Sequence, residues 1–418
     1  MGTVTRRNPG FVPRGGTARR HRPDYILVIL STILLAIGVV VVYAISPALA
    51  VEKHVSANYF VSRQLIAIVL GVVVFAVTAK VPLAYWRKAF KPLLIVATLA
   101  TLMALALPTN PDYPAHRWIR LGGLSFQSVE LLKFALLVGL ASFLAERMRG
   151  GTVADSKKTL QPLLITLLVV GVVVAGIQSD LGSTGVIVAM MGVMAFVAGM
   201  PMKRLLLIAA AIGVGLILAI SATPYRRERL LTFLHPESNC LTTGYQACQA
   251  LISVGSGGMI GLGLGRSVQA YGYLPEAEND SIFAIYAEKF GFVGAAALLA
   301  LFMALFARFK GIAERAPDHF SRLVVVGVLA WFSTQAIINI GAMIGLLPLK
   351  GITLPFISYG GSSVLLVMGA LGLVFQVSRY TSHSATAQDE EFNGESDENS
   401  RDRRRVRGAY YPDPSSRT

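Results

Sequence analysis

Charge is scarce in this chain and cysteine is nearly absent. Charged residues fill 15% of the 418 positions, against roughly 25% in a soluble domain. The two cysteines, Cys240 and Cys248, suit neither a metal framework nor a disulfide scaffold. Acidic residues are the rarer sign, 23 against 38 Lys and Arg, which leaves a net charge of +15. In a soluble protein that excess would point to nucleic acid. Here Lys and Arg gather at the ends of apolar blocks and in two tails, so the excess is a topology signal and nucleic acid is not expected as a partner. Strict alternation of apolar and polar residues is missing from runs such as Leu163 to Ile177 and Leu205 to Ile220, which excludes a barrel. No convincing cleavage site follows the first apolar block, so it is expected to stay as helix one.

What is present is apolar length. Hydrophobic residues make up 54% of the chain and come in blocks of about 18 to 25, enough to cross a hydrocarbon layer. Backbone in lipid must bond to itself, so the blocks are helices. The expected fold is an all-α integral membrane protein of about ten transmembrane helices, near 25–46, 60–79, 90–107, 127–146, 160–177, 183–199, 204–221, 282–308, 322–346 and 359–378. Residues 1–23 form a basic arm and 381–418 a polar tail, both expected to be disordered and cytoplasmic, around a membrane domain at 24–380. One set of loops holds Arg87, Lys88 and Lys91, then Arg147, Arg149, Lys157 and Lys158, then Lys203 and Arg204, then Arg308, Lys310, Arg315 and Arg322. The alternate set is poorer, with Lys53, Arg117, Arg120 and Lys350 among its few members. Positive loops stay inside, which gives an N-in/C-in chain.

One connection breaks the pattern. Residues 222–281, between helices seven and eight, form a long extracytoplasmic loop. Loops of that length are uncommon unless functional. It carries Arg226, Arg227, Arg229 and Arg266 on the side where topology disfavours them, and three carboxylates, Glu276, Glu278 and Asp280, just before an apolar helix. Acid plus base at an outer membrane surface suits a substrate with phosphates and a hydroxyl to activate. Asp280 is equally placed to be a helix N-cap, and the two roles are compatible. The run Gly255 to Gly265 lacks the spacing of a nucleotide cradle, and close packing or a re-entrant turn accounts for it better.

Three further clusters stand out. Glu130 and Lys133 share one face of helix four with Gln127, where intramembrane charge is costly and must meet a partner or a polar cavity. Gln178, Asp180, Gly182 and Ser183 crowd the turn between helices five and six, where a plain turn would use the same residues. The segment 347–363 is broken by Pro348, Pro355 and glycines at the outer mouth of helix ten, with Ser358, Tyr359, Ser362 and Ser363 supplying hydroxyls. Broken backbone at that depth lines a cavity or is covered by protein.

In this order, the residues resemble the SEDS family (shape, elongation, division and sporulation), the FtsW and RodA type of peptidoglycan glycosyltransferase, from about Tyr25 to Arg379. The pieces are Arg117-Trp118-Ile119, Gln127 through Glu130 to Lys133, Gln178-x-Asp180-Leu181-Gly182, Gly244-Tyr245-Gln246, Gly255-Ser256-Gly257-Gly258, Leu274-Pro275-Glu276-Ala277, Asn339-x-Gly341, Gly345-Leu346-Leu347-Pro348 and the run Leu354 to Ser363. The resemblance implies lipid II as substrate, polymerised into glycan strands at the outer face of the bacterial cytoplasmic membrane by an inverting hexosyl transfer. It implies Asp280 as catalytic base. Lys133, Glu130, Arg117, Arg229 and Gln127 are expected to bind substrate, with Ser358, Ser362 and Ser363 beside them. It also implies a class B penicillin-binding protein transpeptidase and other divisome or elongasome membrane proteins as partners. A divalent cation, Mg or Mn, on the pyrophosphate fits the chemistry, but no ligand motif requires one. Leu274-Pro275-Glu276-Ala277 leans toward the division type and the septum, with the elongation type as the alternative.

The chain departs from the family at three places. Glu278-Asn279 stands for the usual His-Thr, Glu288-Lys289 for Glu-Glu, and Ser128-Val129 for Pro-Ser. Two other classes compete with the polymerase. A lipid II flippase would suit ten helices with an intramembrane ion pair, but shows no paired broken helices in two halves here. A pure scaffold for a transpeptidase would not need acid and base beside a lipid surface.

Overall fold

The computed structural model describes residues 19–20, 22–107, 118–121, 124–221, 231, 233–234, 240–242 and 244–381. Among them run α1 (Tyr25–Glu52), α2 (Tyr59–Lys80), α3 (Leu83–Ala106), α4 (Ser128–Arg149), α5 (Ser156–Ile177), α6 (Leu181–Val197), α7 (Met202–Ser221), α8 (Tyr245–Ser256), α9 (Ile282–Glu314), α10 (His319–Met343) and α11 (Gly361–Val377). Seven of these, α1 to α5 with α9 and α10, are long and apolar enough to cross a membrane. The apolar α6 and α11 are shorter, at 17 residues each, and α7 is a further apolar helix of 20 residues.

Burial sorts the helices into a centre and a rim. The most apolar stretches of α4 and α10 are 78% and 72% buried, against 17% in α3 and α5. The outer faces of the rim helices, such as Leu65, Ile66, Val69 and Leu70 of α2, stay exposed and need lipid to cover them. α11 is buried along most of its length and lies against α2 and α10.

Several boundaries differ from expectation. α1 runs through Pro47 to Glu52 instead of stopping at 46, and α3 begins at Leu83 instead of 90. The early turns of α3 hold Arg87, Lys88 and Lys91, of which Lys88 and Lys91 are exposed, and a long basic stem lets an apolar helix continue while the charge reaches water. α5 opens and closes in wider π-type turns at Ser156–Leu160 and Gly171–Ile177. Before α4, β2 (Trp118–Leu121) pairs antiparallel with β3 (Leu124–Gln127), an element the apolar pattern did not announce. α8 lies inside the long loop, where no helix was expected.

Both ends of the membrane domain meet on one face. β1 (Arg19–Arg20) pairs with β4 (Tyr380–Thr381), so parts of the arm and tail expected to be disordered form a short two-stranded sheet. The rest of residues 1–23 and 381–418 lies outside the described residues, apart from Arg22 and Pro23. Asp24 caps α1, accepting from the backbone N–H of Ile26 at 3.1 Å, and binds Arg308 Nη2 of α9 at 2.6 Å. At the far end of α1, Lys53 pairs with Glu278, just ahead of α9. The two helices are thus antiparallel and joined by charge at both ends.

Candidate active site

α4 supplies a fully buried cation. Lys133 Nζ donates to Glu130 Oε1 at 2.6 Å and to Gln335 Oε1 at 3.2 Å, and lies 5.2 Å from the centre of the Trp331 ring. An ion pair in so dry a place persists only when its geometry and hydrogen bonds are good. Glu130 Oε2 is buried with no partner. One turn back, Gln127 Nε2 reaches Asp180 Oδ2 at 3.4 Å, and Gln178 Nε2 donates to Ser128 Oγ at 3.2 Å. Asp180 also caps α6 through Ser183 N–H at 2.9 Å. The turn between α5 and α6 therefore does two jobs, capping a helix and joining the outer end of α4.

Asp280 sits on a turn whose backbone is held from outside. Three consecutive carbonyls accept hydrogen bonds: Glu278 from Tyr359 N–H at 2.9 Å, Asn279 from Ser358 Oγ at 2.6 Å, and Asp280 from Asn339 Nδ2 at 2.7 Å. The N-cap of α9 is Ser281, so the Asp280 side chain is released from the capping role considered for it. Its Oδ1 is buried and unpartnered. Burial pushes the carboxyl up to about 7, with the neighbouring anions Glu276 and Glu278 adding to the rise. Its own backbone N–H and the Gln246 amide of α8 pull the other way. Gln246 Nε2 also donates to Ser281 Oγ at 3.1 Å.

The two clusters are joined through α10. Gln335 and Asn339 lie one turn apart. Gln335 Oε1 accepts from Lys133 and, at 2.7 Å, from Trp331 Nε1, while its Nε2 donates to the Thr353 carbonyl at 2.8 Å. Asn339 Nδ2 bridges the carbonyls of Asp280 and Ile352, each at 2.7 Å. The broken segment before α11 is thus the hinge-piece between the α4 pair and the Asp280 turn. Lys133 and Asp280 are connected by this relay and share no direct bond among the described residues. Glu130 and Gln335 engage the Lys133 ammonium group.

The serines expected to bind substrate have protein partners. Ser358 Oγ accepts from Leu354 N–H at 2.7 Å, Ser362 Oγ accepts from Gln127 N–H at 3.2 Å, and Ser363 Oγ lies 2.9 Å from Thr353 Oγ1. Arg117 and Arg229 lie outside the described residues. No group of three or more His, Cys, Asp or Glu arranged to hold a metal ion occurs among the described residues.

The glycine run packs as the close-packing reading expected. A Cβ on Gly261 would fall 2.2 Å from the Lys289 carbonyl oxygen, and one on Gly257 would fall 2.1 Å from that of Ala287. Glu288 accepts from Ser267 Oγ at 2.6 Å and Val268 N–H at 2.9 Å, and Lys289 Nζ donates to the Leu264 carbonyl at 2.9 Å. The departure at 288–289 therefore anchors the loop from below. The cysteine reading is corrected: Cys240 and Cys248 form a disulfide at the start of α8. A single bond on an outer loop is compatible with export into an oxidising space, which a count of two did not reveal.

Sequence reasoning gave no role to Gln335, counted Lys53 only among the outer-loop charges, and quoted Gln246 and Asn339 only as parts of motifs. The signal for the first and last of the α10 pair was available, since two amides four apart in an apolar helix must find partners.

The model of the FtsW/RodA/SpoVE family, described as cell cycle protein, matches residues 25–383. A probable peptidoglycan glycosyltransferase FtsW of Saccharophagus degradans is 40% identical over 85% of this chain and 92% of its own length. Stage V sporulation protein E of Bacillus subtilis is 36% identical over 87% of this chain and 99% of its own. Among solved structures, a chain described under structural coordination of polymerization and crosslinking by a peptidoglycan synthase complex has a TM-score of 0.70 at 30% identity, covering 85% of this chain and 98% of that one. The rod shape determining protein RodA of Thermus thermophilus has a TM-score of 0.61 at 28% identity, covering 85% and 97%. With a buried Glu–Lys pair, a loop aspartate and a broken segment tied together on this helical frame, the chain belongs to the FtsW/RodA/SpoVE family of cell cycle proteins, the SEDS peptidoglycan glycosyltransferases.

Proposed function

We propose that this chain polymerises lipid II at the outer face of the bacterial cytoplasmic membrane, as a division-type enzyme of the FtsW kind. The observation that carries the reading is the Asp280 carboxyl: one oxygen buried without a partner, its backbone held on three carbonyls, and its proton released near pH 7. A base works best when its pKa lies close to the working pH. Asp280 takes the proton of the 4-hydroxyl of one lipid II as that oxygen attacks the anomeric carbon of the growing chain. The bond to the lipid pyrophosphate breaks, the leaving group departs with the bonding pair, and the configuration inverts. Glu278 is engaged by Lys53 and Glu276 by Asn279, which leaves neither set as a nucleophile for a covalent intermediate.

Charge building on the departing pyrophosphate calls for cations. Arg117 and Arg229 take that role, as bidentate donors suited to phosphate. Lys133 and Glu130, with Gln127 beside them, form the polar floor beneath the site. Ser358, Ser362 and Ser363 shape its wall. A magnesium or manganese ion riding on the pyrophosphate belongs to the substrate and enters with it. The likeness to a chain described in a peptidoglycan synthase complex supports a membrane-embedded crosslinking partner, a class B transpeptidase, working at the septum.

Purified protein given labelled lipid II tests the reaction. Polymer is expected, and Asp280→Asn is expected to lower its rate by roughly 100-fold or more while the variant still purifies as a folded protein. Translocation without polymer would favour the flippase. Full polymerisation by the variant would remove Asp280 from the base role.

A further inference from the structure

The residue two positions before Asp280 departs from the family and has a partner of its own. Glu278 stands where a His is usual, and its carboxylate is 3% exposed. A carboxylate buried so deeply calls for a compensating cation or for several hydrogen-bond donors. The cation is Lys53, the residue that ends α1, which is 40% exposed and pairs with Glu278 Oε1. The other oxygen, Oε2, is buried with no partner, so the pair with Lys53 is the carboxylate's main support.

The pair belongs to a closed circuit of contacts. Lys53 Nζ lies 5.6 Å from the centre of the Phe60 ring of α2. Phe60 meets Tyr359 edge to face at 5.5 Å, and Tyr359 N–H donates to the Glu278 carbonyl. One arc of the circuit runs through side chains and the other through the backbone of the Asp280 turn. The end of α1 thereby reaches the segment that carries Asp280.

We propose that Lys53 and Glu278 form a positioning pair that fixes the turn carrying Asp280 and sets the electrostatic field at its carboxylate. This inference rests on Asp280 being the base. Glu278 contributes an anion beside Asp280, and Lys53 offsets that anion from the end of α1. Other charged or titratable groups surround the pair. Glu52 of α1 faces the turn at Gly272, and exposed His54 follows Lys53. Arg63 and Tyr59 of α2 bear on Tyr359, and Glu276 lies on the same turn as Asp280. None of these is paired with Glu278 among the described residues.

The test is the pH dependence of polymerisation by the purified full-length chain on labelled lipid II. Since the base must be ionised, the rate rises as pH climbs through the Asp280 transition. Glu278→Gln removes a neighbouring anion, and the rising limb is expected to move down by about one pH unit. Lys53→Gln leaves the anion uncompensated, and the limb is expected to move up by a similar amount. Lys53→Arg keeps the charge and is expected to hold the native profile. The double variant Lys53→Gln with Glu278→Gln is expected to fall between the single ones.

Opposite shifts are the signature, because a purely structural role would slow both single variants without separating their limbs. Both limbs moving the same way, or neither moving, overturns the proposal. Should Lys53→Gln fail to fold, Glu278→Gln and Lys53→Arg decide: an unmoved limb in the first, or a displaced one in the second, overturns it. Asp280→Asn is run alongside. If that variant polymerises normally, the base assignment has failed. If it is inactive while the pair variants keep the native limb, the pair alone is refuted.

Discussion

Gln335, a neutral residue, is the junction of the buried network that links α4 to the broken segment before α11. One amide accepts from Lys133 and Trp331 and donates to Thr353. Gln335→Leu would leave the indole N–H and the Thr353 carbonyl without partners, at about 1 to 3 kcal/mol for each orphaned group. The melting temperature of the detergent-solubilised variant is expected to fall accordingly. Asn339→Ala is expected to act differently, because it frees the carbonyl of Asp280. Its polymerisation rate should drop on the order of 10- to 100-fold, since small misplacements of a reacting group weigh heavily. An Asn339→Ala protein that melts as usual and polymerises as usual would show that the clamp on Asp280 is dispensable. Glu130, Lys133 and Asp280 were legible in the sequence because charge in or beside an apolar block has to be explained. The amides were not, since a neutral side chain barely disturbs an apolar run. The partners of the serines were not legible either, since a sequence does not display the backbone N–H groups of Leu354 and Gln127 or the Thr353 hydroxyl that meet them.

At the scale of elements, α9 shows how a long helix is broken without loss. Gly291 takes φ 66° and ψ −166°, which interrupts 33 residues of helix. The freed groups bond to the glycine run: Phe292 N–H to the Gly258 carbonyl at 2.8 Å, Val293 N–H to that of Met259 at 3.0 Å, and Leu262 N–H to that of Glu288 at 2.9 Å. This is backbone pairing between a loop and an interrupted helix, and side chains would wedge it open. A Cβ on Gly291 would fall 2.3 Å from the Gly261 backbone nitrogen. Gly261→Ala and Gly291→Ala combine that collision with a positive φ, and each is expected to cost at least about 1 to 3 kcal/mol. Gly192→Ala, in a helix with open space around the site, is the control and should be neutral or mildly stabilising. Thermal melting of the three proteins side by side checks this. The sequence announced a packing role for these glycines but not their partner, because periodicity does not record which segment a loop folds onto. It likewise missed α8, whose 12 residues are too few to stand out from a long polar connection.

Over the whole molecule, charge fixes both the orientation and the frame. Basic loops assign the Arg308 end of α1 and α9 to the cytoplasm and the Lys53 end to the outside. Cysteines introduced singly at exposed Tyr271 and Lys157 test this with a membrane-impermeant thiol reagent. Tyr271→Cys should react in intact cells, and Lys157→Cys only after permeabilisation. The reverse pattern would invert the topology. The helical frame was readable because lipid forces every spanning segment to be long and apolar. The arrangement of the site was not, because the relay joins residues more than 200 positions apart, as Lys133 and Gln335 are. The cystine of residues 240 and 248 has a consequence of another kind. Its sulfurs join only once that segment has left the reducing interior, and the ring they close contains the first turn of the helix, Gln246 included. Every copy therefore passes from a dithiol form to a bridged one during its lifetime, and two samples with the same sequence are the same substance only if their oxidation histories also agree.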